Sequence, residues 1–273
     1  MTDIAFLGPT PIERLKTLME TLRSPEGCAW DREQSFETIA PYTIEEAYEV
    51  REAIVQGDMP ALKEELGDLL FQVIFHARMA EEEDHFSFDD ICENLTKKMV
   101  RRHPHVFIET DERTAEEQTE AWEAIKAAER ASKPRSDIHS LLDDVALSLP
   151  ALMRAEKLQK RAAAVGFDWP DIEGVLQKII EEAEEVAEAS RSKDKDMIED
   201  EVGDLLFAVT NLARTLKVDP EKALRRTNDK FTKRFQHIEN RARETERDIK
   251  TLGLIEMEAY WQEAKTETEK ARK

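Results

Sequence analysis

Residues that staple, kink or bend a polypeptide are scarce in this 273-residue chain, which has two cysteines, eight glycines and ten prolines. Cys28 and Cys92 lie far apart and match no metal-ligand spacing, so a disulfide framework is not expected and reduced thiols are. So few turn-formers argue against a loop-rich β architecture, and no alternating apolar pattern is long enough to make a strand. No apolar run approaches the ~20 residues of a membrane span. The opening MTDIAFLGPTP has neither a basic stretch nor a long apolar one, so no signal peptide is read there and a soluble, cytoplasmic protein is expected. Positive charge is also in deficit. The formal net charge of −20 argues against general nucleic-acid binding, which needs basic stripes to displace counterions. An acidic protein that handled phosphates would need metal ions or a few well-placed Lys and Arg side chains.

What the chain does contain points to helices. Charged residues make up 37% and apolar residues 40%, enough for a core. It also contains one sentence written twice. EEAYEV followed by ELGDLLF (45–71) recurs as EEAEEV followed by EVGDLLF (181–207), at an offset of 136 residues. The spacing predicts helices near 11–23, 43–56, 59–84, 88–102 and 114–131. It predicts a second set near 148–163, 171–191, 195–216, 220–246 and 255–270. Asp58-Pro60, Ser87-Asp90 and Asp219-Pro220 read as helix starts. The expectation is an all-α protein of two tandem, related helical bundles. Residues 1–130 form the first repeat, 131–140 a polar linker interrupted by Pro134, and 141–273 the second repeat.

The repeat preserves four carboxylates. Glu46, Glu49, Glu65 and Asp68 map onto Glu182, Glu185, Glu201 and Asp204. A spacing of three puts each pair on one helix face, one turn apart. Acidic pairs are common on solvated helix faces, and either pair alone would say little. Here the spacing survives while residues 50–64 and 186–200 diverge, and Glu201 and Asp204 flank the apolar stripe of Val202, Leu205, Leu206, Val209, Leu212 and Ala213. If the two helices pack antiparallel, the four carboxylates converge, and they cannot share a small volume as anions without a cation. Oxygen-only ligands select a hard ion, Mg²⁺ or alternatively Mn²⁺.

Two further pairs recur. Lys98 and Arg102 correspond to Lys230 and Arg234, and Trp122 and Lys126 to Trp261 and Lys265. Lys and Arg suit phosphate oxygens, and a Trp beside a Lys suits a stacked base, although a solvated face and a core or interface tryptophan are the plainer readings. His103-Pro104-His105 has no third metal partner nearby and reads as local packing.

EExxE followed by ExxD and GDLLF, together with RRHPHVF and the GFDW stretch at 166–169, resembles the MazG family of nucleoside triphosphate pyrophosphohydrolases in its long two-repeat bacterial form. The resemblance implies an all-α, usually dimeric enzyme that hydrolyses NTPs and dNTPs to nucleoside monophosphate and pyrophosphate with Mg²⁺, as broad-specificity house-cleaning of the nucleotide pool. It implies Glu182, Glu185, Glu201 and Asp204 as metal ligands. Lys178, Lys230, Arg234, Trp261 and Lys265 would contact the nucleotide, and Glu181 is a candidate to position or deprotonate the attacking water.

The copies differ around their carboxylates. Lys178 has Tyr42 as its counterpart, behind a Pro41 expected to start that helix, and His103-Pro104 ends the helix bearing Arg102. The second repeat is therefore expected to carry most activity, and the first to serve dimerisation or regulation with a weaker metal site. The rival readings are a non-catalytic helical scaffold for nucleotide or a partner, and an enzyme specialised for dUTP or a modified nucleotide.

Overall fold

Capping chemistry decides where most of the helices begin. The computed structural model describes residues 5–108, 114–132, 140–143 and 145–270, and every regular element among them is helical. The chain divides into two units, Met1–Lys133 and Pro134–Lys273. Of the expected linker, 131 and 132 complete a helix, while 133–139 lie outside the described residues.

The first unit contains α1 (Pro11–Leu22), α2 (Ala29–Glu33), α3 (Phe36–Gln56), α4 (Met59–Glu82), α5 (Phe88–Arg102), α6 (Pro104–Phe107) and α7 (Ala115–Ser132). Asp58 caps α4 by accepting from the Ala61 N–H, and Ser87 and Asp90 close a capping box on α5, as their spacing predicts. One expectation fails. The helix read as starting at Pro41 begins at Phe36, behind a Ser35–Thr38 capping box, and Pro41 lies inside it. The box satisfies the first-turn donors, so the helix is established before it reaches the residue that lacks an N–H. The short helices α2 and α6 are too brief to show periodicity and were not anticipated.

The first core gathers Met19, Ile39, Ile74, Phe75 and Met79, with Leu15, Phe36, Phe71 and Phe88 packed around it. It draws α1, α3, α4 and α5 together through apolar burial. Arg23 spans its edge: its guanidinium pairs with Glu82 at 2.7 Å and lies 5.4 Å from the Phe75 ring centroid.

The second unit contains α8 (Ala151–Ala163), α9 (Ile172–Ser192), α10 (Lys195–Thr215), α11 (Pro220–Glu244) and α12 (Leu254–Lys270). Asp219 caps α11 as expected. Helix α8 starts three residues later than its periodicity suggests, because Pro150 takes the N-cap position and biases Leu149 away from helical geometry. Ile238, Ala242 and Leu252 form a core patch against Ile249, Met257, Tyr260 and Trp261. Gln159 of α8 reaches across to donate to the Phe207 carbonyl at 2.8 Å.

Candidate active site

Each copy of the repeated sequence folds as a helical hairpin with a two-residue connection. Gly57 and Asp58 join α3 to α4, and Lys193 and Asp194 join α9 to α10. Gly57 and Lys193 occupy matching positions, and both take left-handed backbone conformations, at φ 71° and 61°. So short a connection forces the paired helices antiparallel, which sets EExxE on one helix against ExxD on the other.

In the second hairpin, ligand-capable oxygens of Glu182, Glu201 and Asp204 lie within 4.8 Å of one another, as do those of Glu181, Glu182 and Glu185. Glu182 belongs to both trios and is the most enclosed, at 4% exposure, whereas Glu201 is half-buried and Glu185 and Asp204 are exposed. Its Oε1 accepts from Lys178 Nζ at 2.6 Å, while its buried Oε2 has no hydrogen-bond partner. A buried carboxylate oxygen without a donor is costly, and it calls for a cation. Lys178 also donates to Glu181 Oε1 at 2.7 Å. The two carboxylates, Glu181 foremost, hold the Lys178 ammonium well above its ordinary pKa. Burial, then the neighbouring Glu182 charge, pushes the Glu185 carboxyl up. The donor set is all oxygen, spans two helices and contains one orphaned buried atom. It fits a hard divalent cation.

In the first hairpin, Glu46, Glu49 and Glu65 form a trio within 4.8 Å, and Asp68 stands outside it. Glu46 is raised by burial and then by Asp68, Glu65 by burial and then by Glu49. Among the described residues no Lys or Arg pairs with these four carboxylates, and Tyr42 stands where Lys178 would be.

The remaining candidates lie on α11 and α12. Lys230 and Arg234 are one turn apart on α11, and Lys265 follows Trp261 by one turn on α12. The Arg234 guanidinium lies 5.5 Å from the Trp261 ring centroid, and its Nε is buried without an acceptor. Phe231 leans on the same ring at 5.2 Å between centroids. Trp261 thus flanks the core and carries an arginine at once. In the first unit Lys126 covers Trp122 at 4.7 Å, and His103, whose Nδ1 lies 2.7 Å from the Met99 carbonyl, sits 5.9 Å from the same ring. The HPH segment is local packing.

A family model for the MazG nucleotide pyrophosphohydrolase domain matches the chain twice, at residues 34–107 and 171–239. The chain belongs to the MazG family. A nucleoside triphosphate pyrophosphohydrolase of Escherichia coli is 49% identical over 257 residues, 93% of this chain and 97% of that protein. A nucleoside triphosphate pyrophosphohydrolase/pyrophosphatase of Thermotoga maritima is 44% identical over 253 residues, covering 93% and 95%. An uncharacterized Bacillus subtilis protein, YabN, is 43% identical over 256 residues, but those amount to 51% of its length.

Both MazG matches enclose a complete carboxylate set, and they reach Arg102 and Arg234 while stopping short of both tryptophans. Sequence reasoning missed Glu129, which binds Arg101 and Arg102 at 2.7 and 2.6 Å. One glutamate in a glutamate-rich helix gives no signal until α7 is laid beside α5.

Proposed function

We propose that the second repeat hydrolyses nucleoside triphosphates to the monophosphate and pyrophosphate, using Mg²⁺, with Mn²⁺ able to substitute. Glu182, Glu185, Glu201 and Asp204 would hold the ion. The carrying observation is that Glu182, which clusters with Glu201 and Asp204 across the hairpin, keeps a buried oxygen, Oε2, without a hydrogen-bond partner. When bound, a divalent cation neutralises the phosphate chain and makes a water more acidic.

The chain's own residues supply the rest. Lys178, held between Glu181 and Glu182, would exchange a carboxylate for a phosphate oxygen once a cation shares that charge. Glu181, exposed beside the trio, orients the water and accepts its proton. Arg234 and Lys230 receive charge developing on the departing pyrophosphate, and the unsatisfied Arg234 Nε supports that role. Trp261 and Lys265 bound the base side. The first repeat, with carboxylates but no lysine among them, serves dimerisation or regulation and turns over little or no substrate. The domain division at 131–140, a homodimer and a cytoplasmic location belong to the same reading. Among the described residues no helix is long and apolar enough to cross a membrane.

The test is incubation with Mg²⁺ and each of the common NTPs and dNTPs, followed by product identification. AMP and pyrophosphate from ATP are expected. Orthophosphate as the primary product would reject the reaction, and absence of turnover across the panel would favour a binding scaffold. Turnover of one nucleotide alone would mark a specialised enzyme.

A further inference from the structure

The two repeats treat their matching arginines in opposite ways. In the first unit, the Arg102 Nη2 donates to Glu129 Oε2 at 2.6 Å, and its Nε is 3.2 Å from the same oxygen. Arg101 holds Glu129 Oε1 through Nη2 at 2.7 Å and Nε at 3.0 Å. Two guanidinium forks thus grip one carboxylate, in the geometry by which arginine takes a phosphate. The pairing is strong enough to hold the Glu129 carboxyl at about 2, with the Arg102 hydrogen bond as the largest cause. In the second unit, Arg234 has no carboxylate partner among the described residues, and its Nε is unsatisfied. In sequence, Thr268 is the counterpart of Glu129, seven residues beyond the matching tryptophan.

We propose that Glu129 is a built-in substitute for the nucleotide's phosphate, so that the first repeat can hold a divalent cation yet excludes a triphosphate. An incoming phosphate oxygen must displace a carboxylate already bound by two arginines. The same carboxylate repels it while it approaches. The first repeat keeps its carboxylate trio, whereas Glu129 closes the cation wall on α5. Glu129 is thus a specificity-determining residue of the first repeat, and Thr268 marks its absence from the second. The inference rests on reading Arg234 as a phosphate contact.

The experiment measures binding of α,β-methylene-ATP with Mg²⁺ to the full chain by titration calorimetry, with circular dichroism as the folding check. Wild type is expected to bind one nucleotide per chain and Glu129→Gln two. Transplanting the carboxylate by Thr268→Glu is expected to weaken the wild-type site tenfold or more while Mn²⁺ binding persists. Two nucleotides bound by wild type, or one by folded Glu129→Gln, would overturn the proposal. Should Glu129→Gln not fold, unchanged affinity in Thr268→Glu overturns it instead. Arg234→Ala separates the two layers. Unchanged affinity there defeats the reading of Arg234 together with this proposal, whereas weakened affinity with no effect of the other two variants defeats the proposal alone.

Discussion

Glu182 has one oxygen on Lys178 and one on nothing, and both facts bear on what its loss would do. Glu182→Gln keeps the shape and removes the charge, and Mn²⁺ affinity at the second repeat is expected to fall by on the order of 100-fold in a direct binding titration. Lys178→Met leaves Glu182 buried without its cation, so the metal-free protein is expected to melt lower, with Mg²⁺ restoring most of the loss. Glu129 gives a pH signature. Its folded carboxyl lies at about 2, below the ordinary 4.5, so the stabilisation it brings is complete above the ordinary range and disappears as pH falls from about 4.5 towards 2. Melting temperatures of wild type and Glu129→Gln are expected to differ most near neutrality and to converge at the acid end. The carboxylate set could be read from the sequence because repetition at a fixed offset narrowed sixty acidic residues to a few positions, these four among them. Glu129 could not, because its meaning lies in a contact between helices far apart in sequence.

At the scale of elements, the caps were readable, as was the stop at His103-Pro104 that ends α5 at Arg102, whereas the proline inside α3 was not. Asp58, Ser87 and Asp219 begin helices where their side chains can accept from the first-turn amides. Pro41 misled because the Ser35–Thr38 capping box starts the helix upstream, and the helix tolerates the one hydrogen bond that Pro41 cannot donate. The two hairpin connections offer a paired test. Gly57 takes φ 71° with no Cβ, whereas Lys193 takes φ 61° with one. Lys193→Gly is expected to stabilise the second unit by about 1 kcal/mol, and Gly57→Ala to destabilise the first by about the same amount, in denaturant unfolding.

At the scale of the whole molecule, part of the apolar stripe beside the carboxylates is left exposed. Val202, Leu206 and Val209 on α10 are 39%, 53% and 46% exposed, and Leu66 and Leu70 at the matching positions of α4 are 49% and 36% exposed. Patterning identified the stripe, but it could not say that part of it stays exposed within its own unit. Exposed stripes of this kind mark association surfaces. Wild type is expected to run as a dimer in light scattering, and Leu206→Asp as a monomer. The central claim remains that one of two equally acidic repeats does the chemistry. It is tested most directly by measuring pyrophosphate release from ATP and Mg²⁺ in Glu201→Ala and Glu65→Ala. The expected result is loss of roughly 100-fold or more in the first variant and near-normal turnover in the second, since only the second hairpin joins its carboxylates to Lys178. Full activity in Glu201→Ala with loss in Glu65→Ala would contradict the account.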